Sequence, residues 1–566
     1  MSTPVLLAAL AFTAVFWKYI RRLLLGSPLD NIAGPPRASF FKGAFSQVFD
    51  PNGWDFHKEM MEKYGRVIKI PAMLGDNWLY VFDPKAMHHI IVKVRISSST
   101  FGMAGITVHA DDYFQEQNVF EETSSFIEGN KLAFGPGLIG TLGEQHRKQR
   151  KMLTPVFSIA HMREMIPTFY DVAHKLERTF ARKAQNGPQE IDVLHWMTRT
   201  ALELIGQSGL GWSFDNLEDE HPADEYGEST KLFVPVSFKF IFFRNYFLST
   251  VTKIGTPGFR RWILERLPGR DLRKLTNIID TMHNTSVKIY QTKKKAIEAG
   301  DETLLEQVGR GKDIMSILIK ANMNAEEGER LTEEEVLGQM STLTFAAMDT
   351  TSGALSRTLH LLAMHPEAQD KLRQELNEVK VEGQDIGYDQ LVSLPYLDAI
   401  CRETLRLYSP VNMVVRTTRQ EAVLPLSQPI RGLDGRELHE IHVPNNTNVI
   451  VGIMASNRNP DIWGPDSYEW KPERWLQPLP NSVTNAHIPG VYSNLMTFIG
   501  GGRSCIGFKF SQLEMKVVLA LLVQSFRFSL SSKEVTWKMI GIASPTIRDS
   551  KDELSRQLPL IVERIH

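Results

Sequence analysis

The chain has 566 residues with 64 basic and 65 acidic side chains, a formal net charge of −1. That balance excludes nucleic acid as an obligatory partner, which would require a basic surplus to meet the phosphates. The two cysteines, Cys401 and Cys505, are too few for a four-ligand zinc site or a disulfide-stapled secreted domain, so each is either a buried structural thiol or a reactive thiolate. Hydrophobic residues make up 42% of the chain; with no repeat or long linker, they read as one large globular unit behind a short anchor.

Residues 5–17 are apolar apart from Thr13, and Lys18, Arg21 and Arg22 follow. The run approaches the roughly 20 residues of a span once Lys18 snorkels and Tyr19 and Ile20 are included. No basic residue precedes it and no small-x-small cleavage site follows, which favours a retained anchor over a removed leader. The positive C-terminal flank predicts that the body stays cytosolic. The organisation expected is an anchor at 1–25, a proline-rich hinge at 26–45 containing Gly34-Pro35-Pro36, and one body from 46 to 566.

Residues 60–95 hold short strand-like runs, such as Val67-Ile68-Lys69-Ile70. From Gly143 onward helical patterns dominate. Residues 232–247 carry seven aromatic side chains and have two readings, a buried core helix or a partly exposed apolar cap that touches lipid and admits a greasy substrate. Thr332 and Glu335 form a capping box, and the helix they start runs to about Met364, close to 48 Å, before His365-Pro366 stops it. Further helices suit 366–380, 395–408 and 506–527, and Val414-Val415 and Val449-Ile450-Val451 signal strands. The fold class is mainly α with a small β portion.

The most specific segment is Phe498-Ile499-Gly500-Gly501-Gly502-Arg503-Ser504-Cys505-Ile506-Gly507. A thiolate that ligates a metal must be kept anionic and kept from oxidation. Backbone N–H groups aimed at sulfur do both, and glycines allow that approach. The apolar helix that follows places its positive dipole end near Cys505. Phe498 can shield the sulfur, and Arg503 can reach a carboxylate at a cofactor rim.

This segment resembles the signature of the cytochrome P450 family, Phe-x-x-Gly-x-Arg-x-Cys-x-Gly, at Phe498, Gly501, Arg503, Cys505 and Gly507. The resemblance implies that family's fold, a single haem-binding domain, and haem b (heme b, iron protoporphyrin IX) with Cys505 as proximal ligand, whose electron donation favours O–O cleavage. Within Ala346-Ala347-Met348-Asp349-Thr350-Thr351, Thr350 can bond the Ala346 carbonyl and open a groove for dioxygen and water. Asp349 would supply protons and Thr350 would orient the water. The family usually has glycine where Ala347 stands. The resemblance further implies a buried structural network of Glu403, Arg406 and Arg474, with Trp475 where phenylalanine is frequent. It implies haem-propionate contacts at Arg150 and Arg416, and places His146 where the family usually has tryptophan.

Arg147, Lys148, Lys151, Lys509 and Lys516 are expected to form a basic docking face for an acidic electron donor. The chain shows no strand–Gly-x-Gly-x-x-Gly–helix unit for NADPH or flavin. The resemblance supplies the donor as NADPH-cytochrome P450 reductase, with cytochrome b5 as a further partner, at the endoplasmic reticulum membrane. Phe345, Ala346, Met348, Val414 and Val415, with residues 543–546, are candidates to line an apolar pocket. The function expected is hydroxylation of a terpenoid or other lipid-like specialised metabolite. Two alternatives stay open, a reductase-independent isomerase or dehydratase and a non-catalytic haem sensor. The absence of Gly-x-Ser-x-Gly and His-Glu-x-x-His argues against a hydrolase.

Overall fold

A computed structural model of the chain describes residues 26–92, 119–220, 225–299, 312–548 and 555–565. The expected anchor lies outside the described residues, among which no helix is long and apolar enough to cross a membrane. In chain order the helices used below are α1 (Trp54–Tyr64), α2 (Pro84–Ile91), α3 (Ser124–Phe134), α4 (Gly143–Leu153), α5 (Ile159–Lys183), α6 (Val193–Leu204), α7 (Glu225–Phe238), α8 (Arg270–Ala299), α9 (Glu333–Met364), α10 (Pro366–Glu378), α11 (Pro395–Leu407) and α12 (Phe508–Ser525). The strands are β1 (Val67–Pro71), β2 (Asn77–Val81), β3 (Phe120–Glu122), β4 (Gln189–Asp192), β5 (Met413–Thr418), β6 (Ala422–Arg431), β7 (Glu437–Val443), β8 (Asn448–Gly452), β9 (Phe526–Leu530), β10 (Val535–Ile540), β11 (Ile542–Ile547) and β12 (Pro559–Arg564). Contacts divide the chain into two compact units.

The first unit comprises residues 1–123, 413–462 and 482–503. Its five-stranded sheet has the order β1-β2-β8-β5-β3. β2 and β8 are parallel and the other pairs antiparallel. The β-branched run Val449-Ile450-Val451 is wholly buried at its centre, as expected of a strand covered on both faces. The proline-rich hinge is docked on this sheet. Lys69 N donates to Ala33 O at 2.9 Å, and a Cβ on Gly34 would lie 1.8 Å from Lys69 O. Arg37 Nη1 donates to Ala72 O at 2.7 Å. Helices α1 and α2 flank the first strands where the sequence suggested strands alone. Asp83 caps α2 by accepting from Ala86 N, and Pro84 occupies its first turn, a start signal read off short polar residues rather than hydrophobic period.

The second unit comprises residues 124–412, 463–481 and 504–566. Its axis is α9, which starts on the expected box: Glu335 N donates to Thr332 Oγ1 at 3.2 Å and Thr332 N to Glu335 Oε2 at 2.8 Å. It ends at Met364, and Pro366 opens α10. Helices α6, α8, α11 and α12 pack on it. The sheet β4-β12-β9 and the hairpin β10–β11 complete the unit. The aromatic stretch divides at the end of α7: Phe233 is buried, while Phe242, Phe243 and Phe247 are exposed.

The β10–β11 hairpin is tied to α9 by Trp537, whose Nε1 donates to His360 Nδ1 at 3.1 Å. Arg357 lies 3.5 Å from the Tyr408 ring centroid and 4.3 Å from that of Trp537. Burial, reinforced by the Arg357 charge, depresses the His360 pKa to about 4. Between pH 6.5 and about 4 the unfolded chain therefore binds a proton that the folded chain refuses, and stability falls as pH drops through that window. The term reaches on the order of 3 kcal/mol at its lower end. Thermal melts of the parent and His360→Asn are expected to converge between pH 7 and 5; equal acid slopes in the two proteins would refute the assignment.

Candidate functional site

In the second unit, Cys505 follows a Gly-rich 3₁₀ turn and precedes α12. Burial raises its thiol above the ordinary range, while the Gly507 N–H hydrogen bond and the nearby Arg150 charge pull the other way. The side chain nevertheless keeps open surface, so a thiol crowded by protein lines a recess. Cys401 contrasts with it. It is buried, and desolvation pushes its thiol to about 12, which makes it a packing residue.

Arg150, on α4, donates to the Ser504 carbonyl from Nη1 and to the Ser504 hydroxyl from Nη2, both at 2.8 Å. Its observed partner is thus the residue preceding Cys505. His146, one turn earlier on the same helix, is buried.

Helix α9 is buried along most of its length but opens at Ala346, with Phe345, Ala347 and Thr350 half-buried beside it. Thr350 Oγ1 donates to Ala346 O at 2.8 Å, and the helix continues unbroken through this bond. Two neighbours of Thr350 turn inward. Met348 is fully buried and lines no open surface, because successive helical residues point about 100° apart. Asp349 is also fully buried: its carboxylate accepts from Arg556 Nη1 at 3.1 Å and Nη2 at 3.0 Å. Arg556 Nη1 also donates to Lys231 O at 3.0 Å. Asp349 is therefore held by a cation rather than poised beside Thr350. Phe345 stacks on Phe134 with centroids 4.5 Å apart, and Phe233 closes the trio at 5.1 and 5.3 Å.

Lys516 departs from the expected basic face. It is buried, and its Nζ donates to Asp398 at 2.8 Å and Val392 O at 3.0 Å. Arg147 pairs with Glu144, Lys148 with the Arg330 carbonyl and Lys151 with Glu329.

Glu403 is the hub of a buried network. It accepts from Arg406 Nε and Nη2, each at 2.8 Å, from Lys471 N at 3.1 Å and from Trp475 Nε1 at 2.9 Å. Arg474 Nε lies 3.5 Å from it and its Nη2 pairs with Asp466 at 3.0 Å. Trp475 is thus a working member, supplying a donor that phenylalanine lacks.

In the first unit, β3 and β5 pair so that Glu122 stands opposite Arg416. Arg416 Nη2 and Arg503 Nε each lie 3.2 Å from the Glu122 carboxylate. Sequence reasoning missed Glu122, since only the strand register brings it to both arginines. Gly500 and Gly501 are required by backbone packing: a Cβ on either would fall 2.2 Å from a carbonyl, of Pro489 and Ile91 respectively, and Gly501 has φ 66°. Phe498 packs edge-on against Tyr492 at 5.6 Å. Val414 and Val415 are half-buried on β5.

The fold is helix-rich with small sheets, and its accessible thiol stands just before α12. The profile of the family described as "Cytochrome P450" matches residues 123–547. The chain is 52% identical over 548 residues to cytochrome P450 monooxygenase 91 of Postia placenta, covering 97% of this chain and 96% of that protein. It is 43% identical over 573 residues to ganoderic acid synthetase CYP5150L8 of Ganoderma lucidum, covering 100% and 99%. A Hericium erinaceus P450 monooxygenase, eriI, is 36% identical over 538 residues, covering 94% and 93%. The chain belongs to the cytochrome P450 family and is a monooxygenase, and the family implies a haem-thiolate cofactor.

The residues present fit such a group. The second unit offers a thiol with open surface and an N–H bond directed at it. In the first unit, described by itself, two guanidinium groups share one carboxylate, which leaves a surplus of positive charge there.

Proposed function

We propose that this chain hydroxylates a terpenoid or other lipid-like small molecule, using haem b held by Cys505 and electrons from NADPH-cytochrome P450 reductase, with cytochrome b5 as a second donor. The carrying observation is the open thiol of Cys505 in the same unit as the mid-helix opening of α9 at Ala346, where Phe345, Ala347 and Thr350 are half-buried. The apolar trio Phe134, Phe233 and Phe345 beside that stretch supports a greasy substrate, as does a full-length relative named for ganoderic acid. Residues 1–25 anchor the chain in the endoplasmic reticulum membrane with the body in the cytosol, a reading supported by the cationic flank of the apolar run.

Each residue then has a task. Arg416 and Arg503 hold the cofactor rim, with Glu122 fixing both arginines. Arg150 holds Ser504 through its carbonyl and hydroxyl and so positions the Cys505 sulfur that would hold the cofactor. When bound, haem supplies dioxygen activation for insertion into a C–H bond. Thr350 holds a proton-bearing hydroxyl on the open face of α9, while Asp349, neutralised by Arg556, anchors the helix to the C-terminal segment.

The test is turnover of terpene and sterol pools with reductase, with and without NADPH, followed by mass spectrometry. An NADPH-dependent product one oxygen heavier is expected; full turnover without NADPH would establish the isomerase alternative instead. Thr350→Ala should lose on the order of 10²-fold in product formation with substrate binding unchanged, while Thr350→Ser retains most activity. Equal rates for Thr350→Ala and the parent would remove the hydroxyl from the proposal.

A further inference from the structure

A threonine inside a helix ordinarily satisfies its hydroxyl on the carbonyl one turn back. On α9, Thr344, Thr350 and Thr358 do so, on Met340, Ala346 and Ala354, each at 2.8 Å. Thr342 does not. Among the described residues its Oγ1 has no partner, and neither has Nε2 of Gln339, one turn earlier. Both side chains are deeply buried, at 3% and 0% exposure. Gln339 is held at its other end, where Oε1 accepts from Leu138 N at 3.0 Å. Asn130 Nδ2, on α3, is a third buried donor without a partner among the described residues. Asn130 stands four residues before Phe134 and so shares its face of α3, the face on which Phe134 stacks against Phe345 of α9.

Buried polar atoms are bonded to protein or to ordered water, and water is held where two to four such groups gather. Residues three apart on a helix have Cβ atoms roughly 5–6 Å apart, a gap that one water spans with two bonds of about 2.8 Å. The place of these groups suggests what the water does. At about 100° per residue, Glu335, Gln339, Thr342, Ala346 and Thr350 fall within about 80° of one face of α9, over roughly 22 Å of its length. The outer end reaches the surface. Exposed Gln145 donates from Nε2 to Glu335 Oε1 at 3.0 Å, and Gln149 Nε2 donates to the same oxygen at 3.0 Å. Thr141 Oγ1 donates to Gln149 Oε1 at 3.1 Å. The inner end is the opening at Ala346, where Thr350 is half-buried. Asp349, the acid next to Thr350, has both oxygens on Arg556.

We propose that Gln339 and Thr342, with Asn130 on the facing helix, hold a file of buried water along this face of α9, and that the file carries protons from the Glu335 end to Thr350. Each transfer breaks one O–H bond and forms the next. A proton taken from bulk water beside Glu335 is thus released at Thr350 Oγ1, and no electron moves. Gln339 and Thr342 are positioning residues, since they orient water and touch no substrate. The use of the protons rests on the role given to Thr350 above; the water site does not.

The first measurement is a crystal structure of the haem-loaded parent. Ordered water bonded to both Gln339 Nε2 and Thr342 Oγ1 is expected; protein partners for both atoms, or a dry site, would overturn the proposal. The second is NADPH oxidation driven by the reductase, in ordinary and in heavy water, with no substrate added. Gln339→Leu and Thr342→Val should slow it about tenfold or more and enlarge the solvent isotope effect, at unchanged haem content. Thr342→Ser keeps the hydroxyl and should keep both parent values. Ser341→Ala should match the parent, since Ser341 lies on another face of α9, with its hydroxyl 3.0 Å from that of Ser286. Parent-like rates and isotope effects in both Gln339→Leu and Thr342→Val, or an equal loss in Ser341→Ala, would also overturn it. A parent that oxidises no NADPH refutes the NADPH-driven reading instead, while water in the structure still reports on the file.

Discussion

Replacing Cys505 with alanine should abolish haem retention and the thiolate-type spectrum of the reduced, carbon monoxide-bound protein, whereas Cys401→Ala should leave both unchanged. The two thiols differ in their surroundings. Cys401 is buried on α11, and desolvation, outweighing the nearby Lys516 and Arg402 charges, pushes its thiol to about 12. Cys505 has open surface, a Gly507 N–H directed at it and a guanidinium nearby, the features that let a metal displace the thiol proton. Cys505→Ser should not rescue, since a neutral hydroxyl is a poor substitute for a soft anionic ligand. The measurements are the haem-to-protein ratio and the absorption spectrum. A Cys505→Ala protein with full pigment and activity would end the haem-thiolate assignment.

Glu403→Ala should lower stability by about 3–5 kcal/mol without any change in the residues that face substrate. Both Glu403 oxygens are occupied, and Glu403 and Arg406 are completely inaccessible to solvent. Removing the acid strands the Arg406 cation, with Arg474 left to Asp466, and breaking a buried pair from one side costs that much. The Trp475 and Lys471 N–H groups lose an acceptor as well. Trp475→Phe removes one donor and should cost only about 1–2 kcal/mol. Denaturant midpoints of the apoprotein check both. A loss below about 1 kcal/mol in Glu403→Ala would mean that the arginines find other acceptors and that the network is not the keystone of this region.

Much of the site was readable from sequence because its logic is local. The Cys505 segment places sulfur, Gly507 and the start of α12 within a few covalently linked residues, and the Thr350-to-Ala346 bond follows from the i−4 spacing of any helix. Glu403 and Arg406 are three apart on one face, so pairing them needed no tertiary knowledge. One step further out, packing takes over. The phase of α9 turns Met348 into the core. Lys516 is charged yet buried, because its partner Asp398 sits on another helix, 118 positions away.

The sequence by itself determined where α9 begins and ends, which cysteine is the candidate ligand, and the mainly helical class, since caps, signature spacing and hydrophobic period act within a few turns of chain. Only the tertiary structure decided the charge partners. Arg556 reaches Asp349 across 207 positions, and Glu122 meets Arg416 and Arg503 through a strand register. The physical reason is that burying a charge leaves its compensation to whatever long-range packing brings within a few ångströms, and no local pattern records that.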